Sequence, residues 1–115
     1  MTLDLSELSE VSQESGLESI GPGSNAYVML GEAGTEYELL GGVITRQEDD
    51  SLDANTLLQS ITVADGSGST HDVMTGINSK DAAIPFGINQ VNEVYIHADE
   101  NNSSSWTWYY TLLYR

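Results

Sequence analysis

Two histidines, His71 and His97, stand among eighteen carboxylates in a chain of 115 residues without cysteine. They set the first limit on its chemistry. Thiolate metal sites, cysteine nucleophiles and disulfides are excluded. Two imidazoles with a carboxylate would suit Zn²⁺ or non-haem iron. Each His, however, sits singly in a strand-like stretch with no second His at short spacing, so no such site is expected. Ser, His and Asp are all present, yet no Ser lies in a nucleophile-elbow setting. Spacing singles out no pair of carboxylates for glycoside hydrolysis. Gly66 and Gly68 are not followed by a helix start, which argues against a phosphate-cradling loop.

Oxygen-ligand cation binding is the remaining inorganic chemistry. Asp49, Asp50 and Asp53, with Glu48, cluster in one segment, and Asp99, Glu100, Asn101 and Asn102 in another. Ca²⁺ takes six to eight such ligands, about 2.3–2.6 Å away. Neither segment has the alternating ligands and central Gly of an EF-hand loop, so solvated acidic loops are the expectation. No cofactor is expected. Asp49, Asp50 and Asp53 are the residues that would hold a structural Ca²⁺ or other cation were one bound.

The strongest positive feature is aromatic. Trp106-Thr107-Trp108-Tyr109-Tyr110-Thr111-Leu112-Leu113-Tyr114 holds both Trp and three of the six Tyr. Strand side chains alternate between faces. Trp106, Trp108, Tyr110, Leu112 and Tyr114 therefore share one face, and Thr107, Tyr109, Thr111 and Leu113 the other. Each ring buries about 150–250 Å², so the first face predicts half of a sandwich core. Tyr95, Trp106, Trp108, Tyr109 and Leu113 are the candidate interface or ligand-stacking residues, since Trp and Tyr favour interfaces. Trp106, Trp108 and Tyr110 would make a carbohydrate-stacking platform if open to water. A carbohydrate- or surface-binding module is accordingly the alternative to a structural role.

Elements that would position these residues follow from alternation and turn signals. Asn92 to Ala98 reads as a strand, with Val94, Ile96 and Ala98 on one face and Glu93, Tyr95 and His97 on the other. Joined to the aromatic strand through the polar turn Asp99–Ser105, it predicts a C-terminal hairpin. Further strands are expected at Ala26–Leu30, Thr35–Leu40, Val43–Arg46 and Leu57–Ala64. Asp65-Gly66-Ser67-Gly68-Ser69 is a tight-turn signal, followed by a mate at Thr70–Thr75. Pro85 has no N–H donor, which suits Ala82–Ile88 to an edge or a crossing segment. About seven or eight short strands at such spacing predict an all-β fold, an antiparallel β-sandwich of jelly-roll-like or Ig-like type.

Residues 1–22 differ from the rest. They carry five carboxylates and no Lys or Arg, so a helix there lacks i,i+4 ion pairs. They read as a flexible acidic arm or short helix, dispensable for the fold, ahead of a β-sandwich domain at 23–115. Eighteen acidic against three basic residues, Arg46, Lys80 and Arg115, give a formal net charge of -15. That field repels nucleic acid and anionic membranes, and no apolar run approaches the roughly 18 residues of a span. Neither nucleic-acid binding nor membrane insertion is expected. A high-salt habitat, with a Debye length of about 3 Å near 1 M salt, would screen the self-repulsion.

Ala83-Ile84-Pro85-Phe86-Gly87-Ile88-Asn89-Gln90-Val91-Asn92-Glu93-Val94-Tyr95-Ile96-His97-Ala98 resembles a pattern near the C-terminus of small virion proteins. There an apolar-Pro segment precedes an Asn-rich turn, a strand and a last aromatic strand. Together with the acidic composition, it resembles small β-sandwich structural proteins of viruses infecting halophilic archaea. The likeness is confined to this part of the chain and contains no diagnostic motif. It implies a non-enzymatic structural role, as a capsid decoration, spike, turret or tail component, and transfers no specific site. It also implies a virion location, with other virion proteins as partners. Bulky residues on both faces of the aromatic strand imply self-association, and particle vertices and spikes make a trimer or pentamer the expected symmetry.

Overall fold

The computed structural model describes residues 10–47, 57–85, 87–100 and 105–115. Nine strands run through them: β1 (Ser12–Ile20), β2 (Asn25–Met29), β3 (Tyr37–Arg46), β4 (Leu58–Ala64), β5 (Thr70–Met74), β6 (Asp81–Ile84), β7 (Ile88–Val91), β8 (Glu93–Ala98) and β9 (Trp106–Tyr114). One sheet is ordered β1-β9-β3-β6 with β7 also on β3, and the other β2-β8-β4-β5. All pairings are antiparallel.

Leu39 pairs with Tyr114 of β9 and with Ile88 of β7, so β7 flanks β3 opposite β9. β6 continues along that side, against Gly42–Thr45. The two are one strand interrupted at Pro85. Counted so, successive strands cross between sheets at every connection except β4–β5. That is the jelly-roll arrangement, an antiparallel sandwich closed by two Greek keys.

Alternation places the core. Trp108, Leu112 and Tyr114 of β9 and Val94, Ile96 and Ala98 of β8 point inward and join Leu39, Ile44, Leu58, Ile61 and Val63 in one buried cluster. Trp108 is fully enclosed. At roughly 25 cal/mol per Å² its burial contributes about 4–6 kcal/mol. Its indole N–H finds no acceptor among the described residues, which offsets about 1–3 kcal/mol of that gain. Gly42 makes room for the neighbouring core residue: a Cβ there would stand 2.6 Å from Leu112 Cδ2 and 2.9 Å from the Thr111 carbonyl.

Three expectations are corrected. β8 and β9 are not a hairpin, because β8 pairs with β2 and β4 and β9 with β1 and β3. Two strands that both face the core from opposite sheets bury more apolar surface than a two-stranded ribbon would. The expected acidic arm or short helix does not hold for residues 12–20, which form β1 and pair with β9 from Ser12↔Tyr114 to Ile20↔Trp106; residues 1–9 lie outside the described residues. β9 supplies the ladder there, so pairing overrides a weak intrinsic propensity. Finally, the strands expected at Thr35–Leu40 and Val43–Arg46 are one, β3, which continues through Gly41-Gly42. A bulge between Leu39 and Gly41 restores the alternation.

Candidate functional site

The candidate residues on β9 divide as the period of two dictates. Trp108 is buried in the core and Trp106 is half-buried, its indole N–H donating to the Gln47 carbonyl. The half-buried ring of Tyr110 lies over Gly16, whose missing Cβ would be 2.7 Å from the Tyr110 hydroxyl. Trp106, Trp108 and Tyr110 therefore form no open stacking platform; they are core and core edge. Tyr109 and Leu113 are exposed on the opposite face, at 44% and 38%.

Register assembles that face across four strands. Tyr109 lies between Leu17 of β1 and Thr45 of β3, Thr111 between Ser15 and Val43, and Leu113 between Gln13 and Gly41. β6 adds Asp81 beside Thr45 and Ala83 beside Val43. Leu17 and Val43 are each 53% exposed. Because Gly41 has no side chain, the face dips into a shallow depression of about 300 Å³ bordered by Val43, Ala83, Thr111 and Leu113.

Polar groups on this face satisfy one another. Gln13 Nε2 donates to Ser15 Oγ at 2.7 Å, and Ser15 Oγ donates to Thr111 Oγ1 at 3.3 Å. Thr45 Oγ1 donates to Asp81 Oδ1 at 2.9 Å. Among the described residues in these rows, Asp81 is the single charged side chain, in a chain of net charge -15. The carboxylates of β1 point the other way: Glu14 and Glu18 lie beside Leu112 and Trp108 on the inner side. There Glu14 accepts a 3.4 Å hydrogen bond from the Tyr114 hydroxyl. Burial, then the Glu18 and Glu14 charges, pushes the Tyr110 phenol up; burial, then Glu14, does the same to Tyr114.

Tyr95 does not join this surface. It lies on the outer face of the other sheet, in register with Tyr27. His97 is two residues further along the same face. His71 of β5 instead lines a cleft near Asp65, Asp72 and Ile88. The two imidazoles are thus apart. Among the described residues no group of three or more His, Asp or Glu is placed to hold a metal ion. Asp49, Asp50 and Asp53, with Glu48, lie outside the described residues, as do Asn101 and Asn102. Asp65 spends its carboxylate on the β4–β5 turn, accepting from the Ser67 hydroxyl and amide and from the Ser69 amide; the Ser67 bonds hold it below the usual carboxylate range.

Period-two reading of β9 finds Tyr109 and Leu113. Leu17 and Val43 escape it, because their place beside β9 depends on pairings between distant segments. The signal that could have found Leu17 is its isolation as an apolar residue between Ser15 and Ser19 at alternating spacing.

The fold is similar to that of a chain from an archaeal virus described by its triple jelly roll fold and turret assembly. The TM-score is 0.59 at 14% identity, over 91% of this chain and 28% of that one. This chain thus spans less than a third of the turret protein's length. At that identity the likeness shows a shared fold. A looser similarity, TM-score 0.45 at 16% identity, covers 90% of this chain and 87% of a protein from Bacillus endospore appendages, described as disulfide-linked pili. No family model and no curated protein matches the chain.

Proposed function

We propose that this jelly roll is a non-enzymatic structural and assembly protein of a virion, a capsid decoration, spike, turret or tail component of a halophilic virus. It docks through the outer face of the β1-β9-β3-β6 sheet onto a second copy of itself, closing into a trimer or pentamer that joins other virion proteins. Before assembly it resides in a high-salt cytoplasm.

The observation that carries this reading is the charge distribution. Copies of a chain at -15 repel one another. Contact is least costly where the fewest carboxylates are brought together. The Leu17–Tyr109–Val43–Leu113 face offers one, Asp81, which is already hydrogen-bonded to Thr45. Interface cores are depleted in charge and enriched in Tyr, and this face has that character. The archaeal-virus chain supports the reading to the extent that a protein described by its turret assembly shares this fold over 28% of its length.

Sedimentation at about 2 M salt, where the Debye length falls to a few ångström, is the test. The unmodified chain should be oligomeric. Tyr109→Glu and Leu113→Glu place a charge at exposed positions and should return it to monomer with the fold intact. A monomer at micromolar concentration, unchanged by either substitution, would overturn the proposal.

A further inference from the structure

The outer face of the β2-β8-β4-β5 sheet has a different composition. Register sets Tyr27 beside Tyr95 and Tyr95 beside Thr62, then Asn25 beside His97 and His97 beside Ser60. The rings of Tyr27 and Tyr95 lie 5.9 Å apart, tilted by 39°. Side-chain size drops abruptly from the rings on β2 and β8 to hydroxyls on β4. That step forms an open depression of about 430 Å³, lined by Asn25, Ser60, Thr62, Thr70, Tyr95 and His97.

We propose that this depression binds a neutral carbohydrate, one or two pyranose rings of a glycan, by stacking on Tyr95 and hydrogen bonding to the hydroxyl floor. Three observations select that ligand class. Its lining contains no Lys or Arg, so nothing neutralises a phosphate, sulfate or carboxylate in a chain of net charge -15. No aliphatic side chain larger than Thr lines it, so lipid tails and apolar ligands gain little. What remains is an aromatic wall and a floor of short donors and acceptors. A pyranose matches both, with an apolar C–H face and a rim of hydroxyls. The volume lies toward the lower end of the ~300–1,000 Å³ range of small-ligand sites.

The binding groups are already oriented. Tyr95 donates its phenol proton to Glu93 Oε2 at 3.1 Å, which pins the ring. His97 Nδ1 faces Asn25 Oδ1. In the tautomer that donates from Nδ1 to this oxygen, Nε2 is the acceptor for a sugar hydroxyl. Thr62 Oγ1 donates to Asp72 Oδ1 at 3.0 Å, which leaves its oxygen lone pairs to accept from the ligand. Groups held in place before binding lose less entropy on it. The site is on the sheet opposite Tyr109, so it stands or falls independently of the assembly face.

The test is a chemical-shift titration of the ¹⁵N-labelled full chain in high salt with the methyl glycosides of glucose, galactose, mannose and N-acetylglucosamine. Sialic acid serves as the anionic probe. At least one neutral glycoside should shift resonances at Ser60, Thr62, Tyr95 and His97, and sialic acid should shift none of them. Tyr95→Ala should weaken binding by about tenfold or more, which is about 1.4 kcal/mol. Ser60→Tyr fills the depression without removing a ring and should abolish it. Tyr109→Glu should leave it unchanged. The proposal is overturned if no neutral glycoside moves these resonances, if the shifts survive Ser60→Tyr, or if sialic acid binds as well.

Discussion

Asn92 accepts a 2.9 Å hydrogen bond from the amide of Gly34 through its side-chain carbonyl, across 58 positions of sequence. The same side chain donates to the Glu32 carbonyl at 2.9 Å and to the Leu30 carbonyl at 3.4 Å. Its backbone donates to Ala64 and accepts from Leu30, both at 2.8 Å. One buried Asn thus ties the β2–β3 turn to the β7–β8 junction and to the end of β4. Every polar atom it buries is used, which is why a polar side chain is stable there.

Replacing Asn92 by Ala should therefore be costly. The side chain gives up three hydrogen bonds, to Gly34, Glu32 and Leu30, each contributing about 0.5–1.5 kcal/mol net. The expected loss is about 2–4 kcal/mol in denaturant unfolding, with no change in the strand content seen by circular dichroism. An unchanged midpoint would mean that the turn finds these bonds elsewhere.

Removing residues 1–20 should abolish cooperative unfolding. The cut deletes the whole of β1, uncovers the backbone edge of β9 and removes the buried Ile20. An exposed edge beside aromatic residues is also a template for aggregation. The milder Ile20→Ala should cost about 2–4 kcal/mol, as for other aliphatic truncations in a core. A truncated chain with intact cooperativity would show that β9 is stable as an edge strand.

How far the sequence reveals all this depends on whether a feature is local. Leu58–Ala64, Glu93–Ala98 and Trp106–Tyr114 alternate strongly, so their identity as strands and their two faces are legible in the residues themselves. The inward set Trp108, Leu112 and Tyr114 and the outward pair Tyr109 and Leu113 follow from period two. Pairing is not local. A polar connection between Ala98 and Trp106 fits a hairpin as well as a crossing between sheets, and only the demand of both inner faces for one core decides. β1 shows the same limit from the other side. Ser, Gln, Glu and Gly give it little intrinsic strand preference, and its conformation comes from β9. Both candidate surfaces are juxtapositions of distant segments, Leu17 with Tyr109 and Tyr27 with Tyr95. No window of sequence contains either.

Salt should stabilise the protein steeply. Of the three cations, Arg46 is buried and Arg115 is engaged with Glu38 at 2.8 Å, which leaves little positive charge at the surface to temper -15. Screening shortens the Debye length from about 10 Å at 0.1 M to about 3 Å at 1 M, so self-repulsion of the folded state falls over that range. Thermal unfolding followed from about 0.1 M to 2 M salt should give a rising Tm. A flat dependence would remove the ground for a high-salt habitat.

Alkaline pH should destabilise the fold through Tyr110 and Tyr114. Burial raises both phenols above the ordinary value of 10.0, and the nearby Glu18 and Glu14 charges add to the shift at Tyr110, as Glu14 does at Tyr114. A raised phenol means that the folded state keeps its proton where the unfolded chain has released it. The stability this contributes is complete below the unfolded value near 10 and is lost as pH rises through the folded value. The Tm should therefore hold up to about pH 10 and fall beyond it. Tyrosinate absorbance should show a late-titrating component that merges with the rest on unfolding. Glu14→Gln removes a charge common to both phenols and should bring that component to lower pH, while Tyr110→Phe should remove part of it and lessen the alkaline loss of Tm. If every tyrosine of the folded protein titrated together with the free side chain, and Tm were indifferent to pH in that window, the inner placement of Tyr110 beside Glu14 and Glu18 would be wrong.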